Sequence, residues 1–171
     1  TLANGTGTSY NAGSSANFVN SITLYAQWNR IISYDGNGNT GGVVPADTTA
    51  IGTAANTTLS TNTGTLVRAG FIFAGWNTTA DGSGTSYAAG LTTYASTGSR
   101  TLYAQWNSVI TYSGNGNTSG TVPAATTATK TSASTTLATN SGTLAKTGFT
   151  FGGWNTAADG SGTSYAAGAT N

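Results

Sequence analysis

The hexapeptide LYAQWN stands at residues 24–29 and again at 102–107, and the 78-residue interval between its copies runs through the rest of the chain. GWNT begins at 75 and at 153, YDGNGNT at 34 returns as YSGNGNT at 112, and GTSYAAG at 84 returns at 162. A fixed period of this length marks tandem units, each a supersecondary structure with its own share of the core. Repeats are therefore counted here, not one domain around a single core. With LYAQWN as the close of a unit, residues 1–29 form the C-terminal part of a preceding repeat and 30–107 a complete one. Residues 108–171 form the N-terminal part of a following repeat that lacks its closing strand.

Within the complete unit, RIISY (30–34) is a β-rich run that stops at DGNGNTGG, where Gly and Asn tolerate positive φ. Pro45 points to a strand boundary or an edge. The polar stretch 46–70, whose large apolar residues are Ile51, Leu59 and Leu66, reads as one strand plus a loop or a single helical turn. FIFAGWN (71–77) is the clearest strand. Phe71 and Phe73 point one way, Ile72 and Trp76 the other, and Gly75 leaves room for a bulge or a close neighbour. ADGSG is a hairpin turn, after which TSYAAG returns antiparallel. RTLYAQW (100–106) sets Leu102, Ala104 and Trp106 on one buried face against Tyr103 and Gln105. The fold expected is all-β or β-rich, with short antiparallel strands and little helix. Its core anchors are Trp28, Phe71, Phe73, Trp76, Leu102, Trp106, Phe149, Phe151 and Trp154.

Composition removes several function classes. Charged residues are 5% of the chain, against about 25% in ordinary globular proteins. The net charge is +1 and the five basic residues (Arg30, Arg68, Arg100, Lys130, Lys146) form no run, so neither nucleic acid nor an anionic membrane is an expected partner. No apolar stretch approaches the ~20 residues of a membrane helix. Aromatics at 10%, in fixed repeat positions beside β-branched residues, argue for a folded chain. The absence of cysteine fits a cytosolic protein or a bacterial exported one. A start in mid-repeat without Met fits a processed product or a piece of a longer protein.

Chemistry has little to work with. There is no His, Cys or Glu, and Asp81 and Asp159 fall in separate units, so no catalytic residues are assigned, no cofactor is expected and an enzyme is not expected. Asp35, Asn37 and Asn39 alternate as calcium ligands do. The second copy replaces Asp35 by Ser113, and no Glu follows to close the shell, so a glycine turn is preferred and no metal site is assigned. Intramolecular isopeptide bonds from Lys130 or Lys146 are disfavoured because neither lysine has a counterpart in the complete unit. N-x-Ser/Thr sequons stand at Asn4, Asn56, Asn77 and Asn117. The abundant Thr is preferred as a solvent-facing β residue. Glycan recognition would fall to exposed tyrosines, with Tyr87 and Tyr103 and their copies Tyr10, Tyr165 and Tyr25 as candidates.

The series YDGNG, then TL, RAGFIFAGW, GTSY and TLYAQW resembles the Listeria-Bacteroides repeat family, which includes the internalin B-repeats. The likeness covers the complete unit and both partial ones. It departs in the polar middle, which is longer and richer in Thr and Ala than the family pattern. The resemblance implies small tandem modules of a β-grasp-like fold in secreted or cell-surface bacterial proteins. A non-enzymatic spacer or filament segment is the leading expectation, and an adhesin-type module for a glycan or host protein the alternative. The partners expected are the chain itself, in a tandem array or a head-to-tail polymer, and glycans. In the polymer, Ile22, Leu24, Ala26 and Trp28 of one molecule would supply the strand missing from residues 108–171 of the next. Boundaries cut from a longer array, completed in cis, are the plainer alternative.

Overall fold

A computed structural model describes residues 2, 7–50, 56–130 and 134–170. Ile51 and the sequon at Asn4 lie outside the described residues. Among the described residues there are eight strands: β1 (Arg30–Asp35), β2 (Thr48–Ala50), β3 (Phe71–Asn77), β4 (Ser86–Tyr87), β5 (Arg100–Ile110), β6 (Thr126–Ala128), β7 (Trp154–Asn155) and β8 (Ser164–Tyr165). No helix occurs among the described residues, so the helical turn considered for the polar middle is not formed there. The chain divides into two compact units, one of Thr1–Val67 with Phe73–Gln105, the other of Arg68–Ile72 with Trp106–Asn171.

In the first unit the strand order is β2-β1-β5-β3-β4. β1 and β2 are antiparallel, as are β3 and β4 with Trp76 opposite Tyr87. The central pair departs from an all-antiparallel reading, because β1 and β5 run parallel with Ile32 opposite Arg100 and Tyr34 opposite Leu102. Parallel neighbours need a long crossover. The segment between β1 and β5 supplies it and carries the β3–β4 hairpin as it goes. The closing strand is thus the middle strand of the sheet, hydrogen-bonded on both sides.

The core of this unit follows from that position. Ile32, Leu59, Trp76, Tyr94 and Leu102 are fully buried, and Tyr34 packs on Trp76 with ring centroids 4.7 Å apart. The Trp76 indole donates to Ser60 O at 2.8 Å and the Tyr34 hydroxyl meets Thr48 Oγ1 at 2.9 Å, so the polar edges of both rings are satisfied. Gly75 has φ +114°, and a Cβ there would stand 2.6 Å from Tyr87 O. The space beside Trp76 is therefore taken by the backbone of the β3–β4 hairpin, and only glycine fits.

The second unit repeats the same local geometry with a shorter sheet. β6 pairs antiparallel with Ser108–Ile110 and β7 with β8, Trp154 facing Tyr165. Tyr112 lies 4.6 Å from Trp154, Phe151 lies 5.1 Å from it, and the indole donates to Ala138 O at 2.8 Å. The counterparts of β1 and β3 shrink to Ser108–Ile110, the end of β5, and to Trp154–Asn155. Each has lost the neighbour that would have held it extended.

The anchors divide accordingly. Trp76, Leu102 and Trp106 are buried and Phe73 and Trp154 half-buried, while Phe71 and Phe151 are exposed. Phe149 is exposed at 70%. Phe71 opens β3 and its counterpart Phe149 stands in an isolated bridge to Lys146, each at a turn where a cation, not the core, covers the ring: Arg68 Cζ lies 4.3 Å from the Phe71 centroid and Lys146 Nζ 5.1 Å from that of Phe149. Trp28 is 79% exposed, which corrects its expected place in the core. Residues 21–29 form no strand.

Candidate functional site

The DGNGN turn uses its oxygens and amides internally. Asp35 Oδ1 accepts from the Asn37 amide at 2.7 Å, Asn37 Nδ2 donates to Ala80 O and Ala104 O, and Asn39 Nδ2 donates to Gly41 O. Asn37 thus ties the turn after β1 to the closing strand and to the β3–β4 hairpin. A calcium ion would have to displace these bonds. Among the described residues no group of three or more His, Cys, Asp or Glu side chains converges. Lys146 Nζ lies 3.4 Å from Asn115 O, a carbonyl that offers nothing for an isopeptide bond.

The tyrosines proposed for glycan contact are differently placed. Tyr87 is half-buried with its ring edge against Tyr94, 4.9 Å between centroids, and Tyr103 and Tyr165 are half-buried too. Tyr10 and Tyr25 are exposed, and Tyr10 packs against Phe18 at 5.3 Å. Of the sequons, Asn56 is exposed, Asn117 is held by Ser119 O and Gly120 O, and Asn77 is fully buried. A glycan on Asn77 is incompatible with this fold.

Both hairpin turns are built alike. Asp81 Oδ1 accepts from the Ser83 amide and hydroxyl, and Asp159 Oδ1 from those of Ser161 at 3.0 and 2.7 Å. These bonds, the Ser161 hydroxyl first and its amide second, hold the Asp159 carboxyl below the ordinary value of 3.8. A depressed folded pKa means the stabilisation is full above that ordinary value and fades as pH falls through the lower folded one. We expect the Ser161 amide resonance to move with acid over that window and to stay still in Asp159→Asn, as an NMR titration would read.

A groove of about 870 Å³ lies in the second unit, lined by Ile110, Tyr112, Leu137, Phe151, Trp154 and Tyr165 together with neighbouring backbone. Its position is defined by the repeat. Ile110 and Tyr112 correspond to Ile32 and Tyr34 on β1, Phe151 and Trp154 to Phe73 and Trp76 on β3, and in the first unit β5 runs between those two strands. Residues 108–171 contain no counterpart of β5, and the groove lies at the corresponding place. Ile32, Leu59, Trp76 and Asn77 are buried where Ile110, Leu137, Trp154 and Asn155 are only half-buried. Asn37 Nδ2 reaches Ala104 O on β5, whereas among the described residues Asn115 Nδ2 donates only to Ala158 O, at 2.7 Å.

The sequence does not reveal the groove: of its lining residues it places Phe151 and Trp154 in the core and Tyr165 among the candidates for glycan contact, and it assigns no role to Ile110, Tyr112 or Leu137. Ile22, Leu24 and Trp28 lie exposed on the segment that carries the other copy of LYAQWN, as does Ala26.

No curated protein and no solved structure gives a significant match. The Listeria-Bacteroides repeat domain matches twice, over residues 31–105 and 109–171. With tandem matches over most of its length and a β-rich sheet in each, the chain belongs to the Listeria-Bacteroides repeat family.

Proposed function

We propose that this chain is a non-enzymatic structural segment of an extracellular, bacterial-type surface protein, a spacer or filament-forming run of modules. The observation that supports this most is how the polar side chains are used twice over. Tyr34–Thr48 and Tyr112–Thr126 are both 2.9 Å, the Trp76 and Trp154 indole bonds are both 2.8 Å, and Asn62 and Asn140 cap their loops through the same pair of bonds to Leu66 and Leu144. These groups serve the scaffold of their own unit and leave few for a ligand. A module of this kind adds length and a low-charge, hydroxyl-rich exterior at regular intervals.

Inserting one or two further copies of residues 30–107 tests the reading. Small-angle scattering should show the maximum dimension rising by the same increment per copy. Copies that pack into a compact particle with no such increment would overturn it. Reproducible binding on a glycan array, lost in Tyr25→Ala, would favour the adhesin instead.

A further inference from the structure

We propose that Asn56 is the residue on which this chain carries a covalently linked sugar, joined through the side-chain amide nitrogen. The proposal rests on the extracellular reading above for the supply of the sugar donor. The choice of acceptor rests on the geometry of the complete unit alone.

An N-x-Ser/Thr sequence only nominates an acceptor. The enzyme that uses it must reach the asparagine amide nitrogen and, on the same side of the chain, the hydroxyl two residues on. Residues 56–58 are Asn-Thr-Thr, with no proline between. Their backbone pairs antiparallel with the segment between β4 and β5. The Thr57 amide donates to Tyr94 O at 2.9 Å, the Tyr94 amide to Thr57 O at 3.2 Å, and the Leu59 amide to Leu91 O at 2.9 Å. Side chains two apart on such backbone share a face. Leu59 is buried in the core and Thr57 is half-buried, while Asn56 and Thr58 are both exposed. The burial of Leu59 therefore turns the acceptor nitrogen and the hydroxyl to solvent together. Among the described residues, neither Asn56 Nδ2 nor Thr58 Oγ1 has a hydrogen-bond partner.

The other described sequons lack that freedom. Asn77 is fully buried, its Nδ2 donates to Gly82 O, Gly84 O and Ser86 Oγ, and its Oδ1 holds the Thr79 amide and hydroxyl. Nitrogen and hydroxyl are both in use there. Asn117 donates Nδ2 to Ser119 O and Gly120 O, backbone of its own sequon and of the next residue. In the second unit the position of Asn56 is taken by Ser134, so the repeat does not duplicate this acceptor.

In the transfer, Asn56 Nδ2 bonds to the anomeric carbon of a sugar diphosphate. The bond from that carbon to the diphosphate oxygen breaks, the diphosphate leaves with the electron pair, and one amide proton passes to a base of the transferase. The donor is a lipid-linked or nucleotide-linked sugar diphosphate. A sugar at this position is solvated and adds to the hydroxyl-rich exterior.

Peptide mass spectrometry of the chain isolated from the cells that make it should find added sugar mass on Asn56, with Asn77 and Asn117 bare. A single hexose identifies the nucleotide-linked donor, and a block of several sugars the lipid-linked one. The mass should vanish in Asn56→Gln and in Thr58→Ala and persist in Thr58→Ser, which keeps the hydroxyl. All three variants alter exposed side chains and should melt like the parent. In vitro, a sequon-dependent oligosaccharyltransferase with its lipid-linked donor should modify free peptides of residues 54–60 and 75–81 alike. On the folded chain it should modify Asn56 and leave Asn77 and Asn117 untouched. A bare Asn56 in the isolated chain, transfer to Asn77 in the folded chain, or refusal of Asn56 by an enzyme that accepts the free peptide would each overturn the proposal. None of these outcomes alters the length added per inserted repeat, which tests the spacer reading separately.

Discussion

Replacing Trp106 by alanine should cost about 3–5 kcal/mol of stability, and replacing Trp28 by alanine should cost less than about 0.5 kcal/mol. The two tryptophans end copies of one hexapeptide, so intrinsic strand preference cannot separate them. What separates them is the sheet. Trp106 is buried on an 11-residue strand, whereas Trp28 is 79% exposed on a segment with no strand neighbour. Removing a buried indole loses its transfer energy and leaves a cavity that the surrounding chain closes only in part. An exposed indole has already kept its contact with water. Urea denaturation of each variant in dilute solution, with hydrogen exchange to assign the loss to a unit, reads the difference. Equal shifts for the two substitutions would show that residues 24–29 are packed after all.

That contrast marks how far sequence reasoning reaches. The 78-residue period, the β3–β4 hairpin at ADGSG and the buried alternation of Leu102, Ala104 and Trp106 were all legible, because turn chemistry and side-chain period are local properties. The parallel pairing of β1 with β5 was not, since nothing in RIISY or TLYAQW distinguishes a parallel neighbour from an antiparallel one. The same limit explains Trp28 and the phenylalanines. An apolar residue in a strand pattern reports that a face exists, and only the partner strand decides whether it is covered. Phe149 and Phe71 are equivalent in sequence, yet one is 70% exposed and the other 38%. The groove was not legible, because whether Phe151 and Trp154 are covered depends on strand neighbours that a local pattern does not report.

Asn77→Ala should cost about 3 kcal/mol, although the residue reads in the sequence as a glycosylation sequon. Its side chain is fully buried and holds the β3–β4 hairpin from inside. Nδ2 donates to Gly82 O at 3.2 Å, Gly84 O at 3.1 Å and Ser86 Oγ at 2.9 Å, and Oδ1 accepts from the Thr79 amide at 2.8 Å and its hydroxyl at 3.1 Å. One net hydrogen bond is worth about 0.5–1.5 kcal/mol, and an alanine strands several partners at once where water has little room to replace them. The second unit provides the control. Asn155 makes the same contacts to Gly160 O, Gly162 O and Ser164 Oγ but is only half-buried, so water can substitute and Asn155→Ala should cost visibly less. Asn77→Asp sharpens the test further. It keeps an acceptor for Thr79 but turns the donor into a buried carboxylate facing two carbonyls, so it should be at least as damaging as alanine. If chemical denaturation finds Asn77→Asp harmless, the acceptor half of the network alone holds the hairpin. If it finds both Asn77 variants harmless, the network is incidental and the turn stands on Asp81 and its glycines.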